Sequence, residues 1–281
     1  MDKDRHRPDR QLPTRPDLVA SGPPAAVTRD RHIVTPFARA LSILSAFTPE
    51  DRWLCNGELA GRTGLPASTV TRMTRTLVTL GYLRCAADAR RFYLGSSTLA
   101  LGYRAAADSE IHRAAHPPMR QFAERHQVHV QLCARDRLDL VVIDSCRTPS
   151  LPAALQPGVG TRLGLTSTAP GWALLASLPD AERHYLLRSA EHPPACGWSE
   201  QSRQMHQAIE RVREHGFCVA PGESGSPMTM VATPVQFPGE APLAASCMGP
   251  SRLIGRARSV GELGPALARM AREIQRSSAR P

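Results

Sequence analysis

Residues 56–80 read NGELAGRTGLPASTVTRMTRTLVTL, two short helical patterns separated by a Gly-Leu-Pro break. Leu59 and Ala60 are the apolar positions of the first, and Val70, Met73, Leu77 and Leu80 recur at helical spacing on the second. Gly64 supplies a tight turn, and Pro66 suits a first helical turn, where no backbone N–H is needed. The spacing predicts a helix-turn-helix.

The opposite face of the second helix carries Ser68, Thr69, Thr71, Arg72, Arg75, Thr76 and Thr79, and no Asp or Glu stands between Pro66 and Leu80. A merely solvated face usually mixes both signs of charge to gain i,i+4 pairs, whereas a face meant for a polyanion keeps hydroxyls and guanidinium groups. The expectation is a recognition helix for double-stranded DNA. Ser68 and Thr69 in its first turn would meet phosphate, Thr71 and Thr76 would flank, and Arg72 and Arg75 would reach base edges or phosphates in a major groove. The competing reading is a helical hairpin whose polar outer face binds nothing.

Outward from this stretch, TPFARALSILSAFTPEDRW places Phe37, Leu41, Leu44 and Phe47 at helical spacing, with Thr35 and Pro36 as start signals. This predicts a helix covering the back of the motif, with Trp53 and Leu54 in a short strand that completes a small core. Downstream, residues 82–85 and 91–94 read as two strands around a turn, a basic hairpin or wing whose Arg84, Arg90 and Arg91 would touch the DNA backbone or a minor groove. Ser96 to Arg104, with Leu99, Leu101 and Tyr103, reads as a linker helix. Residues 1–34 alternate Arg, Asp and Pro with scarcely any large apolar side chain and are expected to be a disordered tail.

Charge follows the same map. The chain carries +10 over 281 residues. Residues 35–104 hold nine basic and four acidic side chains, whereas residues 105–281 hold 19 and 16. The excess is densest around the helix-turn-helix, as a nucleic-acid module joined to a nearly neutral domain requires. Only Lys3 among the basic residues is lysine, so the charge is almost all guanidinium, suited to phosphate and guanine. Seven scattered cysteines with no C-x-x-C pair argue against a disulfide framework or a structural zinc site. No apolar run approaches membrane length and no secretory signal opens the chain, so a cytoplasmic protein without membrane contact is expected.

Residues 110–281 have the texture of strands in hairpins with segregated helices, which predicts an antiparallel sheet with helices packed on it. The whole chain is therefore expected to be α+β: a tail (1–34), a winged helix-turn-helix (35–95), a linker helix (96–109) and a second domain (110–281).

The order of first helix, NGELAGRTGLPASTVTRMTRTLVTLGYL, RFYLG wing and linker helix resembles the IclR family of bacterial transcriptional regulators. TRLGLTSTAPGWALLASLP, GFCVAPGESGSPMTMVATPV and APLAASCMGPSRL resemble segments of that family's second domain, so the resemblance spans about Pro36 to Met270. It implies a homo-oligomer, a dimer or dimer of dimers, that binds a palindromic operator and is modulated by a small molecule. It also implies an effector pocket at Ala169, Pro170, Gly171, Trp172, Ala220, Met230, Ser246 and Met248. Trp172 stands where the family has a basic residue, and Met230 where it has a cysteine. Those departures favour a larger, more apolar or aromatic ligand than a short keto acid. A filled, effector-blind core is the competing reading.

No enzyme is expected. Gly222 to Ser226 is a near miss of the G-x-S-x-G nucleophile elbow, and its failure at the last glycine leaves a DNA-localised enzyme as the lesser alternative. His112 and His116 are one helical turn apart, with His126 and His129 not far off, but no third ligand is signalled. Neither a metal nor a cofactor is expected.

Overall fold

The computed structural model describes residues 34–48, 51–86, 91–107, 110–152, 155–190, 198–220, 228–237 and 239–278. The first unit comprises α1 (Thr35–Ser45), β1 (Leu54–Cys55), α2 (Asn56–Thr63), α3 (Ala67–Thr79), β2 (Leu83–Cys85) and β3 (Arg91–Leu94), with the strands in order β1-β3-β2. Cys55 caps α2 with its sulfur, which accepts the Glu58 N–H at 3.5 Å while the Glu58 carboxylate accepts the Cys55 N–H at 2.6 Å. Gly64 then turns the chain in the left-handed region, at φ 66°, which brings α3 across α2. The α1–α2 connection is tied down by Asp51, which accepts from Arg62 Nη2 at 2.9 Å and from the Thr48 N–H and hydroxyl at 2.8 Å each. Burial raises the pKa of Asp51, but the bonds from Arg62 and Thr48 outweigh it and hold the carboxyl below its ordinary value.

Ile43, Leu54, Leu59, Val70, Met73, Leu77, Leu83 and Phe92 form the core of this unit. Three expectations change here. On α1 the buried side is centred on Ile43, while Phe37 and Leu41 are 65% and 47% exposed, because α3 covers only one flank of a helix whose apolar stripe is broad. Leu80 is exposed, since it follows the last turn of α3 and Gly81, at φ 77°, redirects the chain. Trp53 also stays outside; Leu54 takes the core position.

The α4 helix (Ser96–Ala107) leads to a six-stranded antiparallel sheet in the order β6-β5-β4-β9-β8-β7. Its strands are β4 (His129–Asp136), β5 (Asp139–Cys146), β6 (Arg162–Gly164), β7 (Cys218–Ala220), β8 (Met228–Val235) and β9 (Leu243–Pro250). Two layers of helices bury its two faces. On one lie α5 (Glu110–His126) and α10 (Gly264–Ser278), the latter reached through a turn at Arg256–Arg258 (α9) and a π-helical turn; Met119, Phe122, Leu267 and Ile274 pack there on Val130, Leu132, Val231 and Cys247. On the other lie α6 (Ala169–Ser177), α7 (Asp180–Ala190) and α8 (Trp198–His215), with Trp172, Leu174, Met205 and Ile209 against Cys133, Val142, Met230 and Met248.

One irregularity reassigns side chains between these faces. Leu132 pairs with Asp144 but Cys133 with Val142, so Ile143 is an extra residue in β5. Beyond this bulge the alternation of β5 is inverted: Val142 faces α6, whereas Asp144 and Cys146 face α5. Among the described residues, no helix is long and apolar enough to cross a membrane.

Candidate functional site

Two regions hold the residues singled out by sequence. The first is the outer face of α3. Ser68, Arg72, Arg75 and Thr76 are exposed there, while Thr69 is half-buried. Neither Arg72 nor Arg75 has a carboxylate partner among the described residues, so both guanidinium groups keep their donors turned to solvent. Thr71 is employed differently: its hydroxyl donates to the Ala67 carbonyl at 2.9 Å and accepts from Asn56 Nδ2 at 3.1 Å. It locks α2 to α3 and fixes the angle at which the exposed arginines are presented.

The strands after α3 hold their arginines against aromatic faces. The Arg84 guanidinium lies 5.2 Å from the centre of the Tyr93 ring. Because Cys55 pairs with Arg91 across β1 and β3, Arg91 reaches the Trp53 indole, 4.5 Å from its centre, and Arg52 approaches the same ring at 4.8 Å. Stacking keeps the positive charge of these groups while restricting their rotamers. Arg52 and Trp53 were missed as site residues; their adjacency to a basic strand is visible only once β1 and β3 are paired. Arg90 lies outside the described residues.

The second region is the sheet face under α6. Ala169, Pro170, Gly171 and Trp172 form its buried first turn, capped by Thr168. A Cβ on Gly171 would stand 2.0 Å from the Leu165 carbonyl oxygen, so glycine is what lets the helix approach so closely. The Trp172 indole donates to the Thr166 carbonyl at 2.7 Å, which orients its ring into the same core as Met230 and Met248. Ala220 is half-buried opposite Met230.

Ser246 is fully buried and its hydroxyl has no hydrogen-bond partner among the described residues; its register partner on β4 is Gln131, also fully buried, neither of whose amide atoms has a partner among them. Two residues along, His129 uses Nε2 on the Pro157 carbonyl at 3.0 Å, while Nδ1 makes no hydrogen bond of normal geometry among the described residues, with the Cys146 backbone and the Gln156 side chain nearby. Burial pushes the His129 pKa down to about 4, so the imidazole is neutral at physiological pH. A row of unpartnered polar atoms is costly inside an apolar core, at roughly 1–3 kcal/mol per group, and calls for a ligand or water. Gln131 was not singled out from the sequence, because nothing local to β4 signals that it faces Ser246 on β9. Gly222 to Ser226 lies outside the described residues.

Comparison with known proteins agrees with this architecture. The IclR helix-turn-helix domain matches residues 37–85, and the bacterial transcriptional regulator IclR C-terminal domain matches residues 103–276. The HTH-type transcriptional regulator TsaQ1/TsaQ2 of Comamonas testosteroni is 32% identical over 245 residues, covering 86% of this chain and 88% of that protein. The crystal structure of an IclR family transcriptional regulator from Brucella abortus superposes with a TM-score of 0.77 at 33% identity, over 96% of this chain and 100% of that one. An IclR homolog from Microbacterium hydrocarbonoxydans complexed with 4-hydroxybenzoate shares the fold, with a TM-score of 0.69 at 21% identity over 86% and 98% of the two chains. With the IclR helix-turn-helix and the IclR C-terminal domain together matching most of its length, the chain belongs to the IclR family of bacterial transcriptional regulators.

Proposed function

We propose that the protein regulates transcription as a homo-oligomer, placing the α3 helices of two subunits in successive major grooves of a palindromic operator, and that a small molecule bound under α6 tunes that placement. The observation that carries the reading is the outer face of α3, where Arg72 and Arg75 stand exposed in a stretch free of carboxylates. A single recognition helix covers about half a site, so two-fold pairing is the economical geometry. Apolar surface for pairing is at hand: Phe37 and Leu41 on α1, and Leu99, Leu101 and Tyr103 on α4, are 47–75% exposed.

The effector is read from the residues between α6 and the sheet. Trp172, Met230 and Met248 offer apolar, adaptable surface, and Gln131 with Ser246 offers a donor and acceptors at one end. That favours a ligand with an aromatic or otherwise apolar body and an uncharged hydrogen-bonding group at its buried end; 4-hydroxybenzoate, bound by the Microbacterium hydrocarbonoxydans homolog, has an aromatic body of this kind. Such a ligand shifts the DNA-bound arrangement only by the difference of its affinities for the two arrangements.

In vitro selection of random DNA duplexes by the full-length protein at fixed, near-physiological salt tests the reading. Enrichment of a palindrome with half-sites about one helical turn apart is expected; retention without sequence preference would contradict it.

A further inference from the structure

His112 and His116 project from the first two turns of α5 toward β5, and the bulge at Ile143 turns Asp144 to meet them. Asp144 Oδ2 lies 3.0 Å from His112 Nδ1 and Oδ1 lies 3.1 Å from His116 Nδ1, with the imidazole centres 5.2 Å apart. The side chain of Asp144 is only 5% exposed, whereas those of the histidines are 41% and 42% exposed, which leaves a path from solvent. Cys146, next on the same face of β5, brings its Sγ to 3.9 Å from His116 Nδ1.

A carboxylate so deeply buried needs compensating positive charge. No Arg or Lys pairs with Asp144 among the described residues; the groups facing it are the two imidazole nitrogens. Two nitrogens and a carboxylate oxygen, all within 4.8 Å of one another, are a donor set that suits a borderline divalent transition metal. With ligands about 2.0–2.1 Å from a tetrahedral ion, their mutual separations are about 3.4 Å. The nitrogen–oxygen distances already lie close to that value, and small rotations of the half-exposed rings close the rest.

We propose that His112, His116 and Asp144 form a site for a divalent ion of the Zn2+ class, with Cys146 beside its fourth position. The site is separate from the Gln131–Ser246 row, which lies on the other face of the sheet. Its place in the fold suggests what occupancy does. Pro117 and Pro118 lack the N–H groups that would bond the Arg113 and Ala114 carbonyls, so the first two turns of α5 are weakly joined to the rest of the helix. A bound ion fastens these turns to β5, at the point where the chain arrives from α4.

The test uses the full-length protein stripped with chelator and titrated with Zn2+ alone against a chromophoric competitor, with melting temperature followed in parallel. The expected result is about one tight equivalent per chain and a concentration-dependent rise in melting temperature. His112→Gln and His116→Gln each weaken binding roughly tenfold or more, and the double variant, whose changes are half-exposed and leave the circular dichroism unaltered, loses the equivalent. Co2+ in the same site gives the visible bands of a four-coordinate ion, absent in the double variant. Absence of a tight equivalent, or its survival in the double variant, overturns the proposal and leaves a hydrogen-bonded His–Asp–His cluster.

Discussion

Gln131 on β4 and Ser246 on β9 stand directly opposite one another at the centre of the sheet, both fully buried, and among the described residues neither side chain meets a hydrogen-bond partner. Two polar groups buried in this way must find hydrogen-bond partners in water or in a ligand, since leaving them unmet costs stability.

Replacing the pair with apolar residues should therefore separate stability from binding. Gln131→Leu combined with Ser246→Ala is expected to leave the melting temperature of the ligand-free protein unchanged or higher, because both unpaired groups go together. In the same variant, ligands that raise the melting temperature of the wild type should no longer do so. A drop of several kcal/mol in the ligand-free protein would mean that the pair is satisfied by fixed water and supports the sheet.

His129 makes stability depend on pH. Its imidazole resists protonation down to about pH 4 in the folded chain, because of burial, whereas an unfolded histidine takes its proton near 6.5. The unfolded state binds more protons between those values, so stability falls as pH drops from about 6.5 to about 4, by an amount of order 3 kcal/mol. His129→Leu should flatten that part of the curve of melting temperature against pH, with the remaining slope coming from carboxylates.

Arg72 and Arg75 head the list for base recognition. Arg72→Ala is expected to cost about 1–3 kcal/mol of operator affinity and to relax preference at one base step, measured by repeating the selection with the variant. Equal weakening on all sequences would assign Arg72 to phosphate instead.

Arg91 should behave as a backbone contact. Arg91→Ala is expected to weaken specific and non-specific DNA alike and to reduce the slope of log affinity against log salt by about 1. Trp53→Ala, which removes the ring on which Arg91 rests, should reproduce part of that loss without changing the charge.

The exposed apolar row on α4 is the surface to break for assembly. Leu99→Asp with Tyr103→Asp should move the protein to a smaller species in sedimentation and cost the operator more affinity than an isolated half-site. Unchanged sedimentation would place the subunit contact elsewhere.

Much of this molecule was legible in its sequence, because the signals were local. The Gly64–Pro66 turn, the carboxylate-free face of α3, the basic strands behind it and the alternation of the sheet strands are each properties of a few neighbouring residues. They sufficed for an α+β chain with a winged helix-turn-helix and for the exposure of Arg72 and Arg75 on α3. What needed the tertiary structure was every property set by pairing between distant segments. The orientation of α1 depends on how much of it α3 covers, so Phe37 and Leu41 came out exposed where periodicity alone placed them inside. Trp53 became the support of Arg91 only through the β1–β3 register. Gln131 became a partner of Ser246 through a register between segments more than a hundred residues apart. One extra residue in β5, invisible as a pattern, carries Asp144 to the face where His112 and His116 wait. Local composition sets propensity and faces, but which faces meet is decided by long-range packing, and the Gln131–Ser246 pair and the His112–His116–Asp144 cluster are both made where they meet.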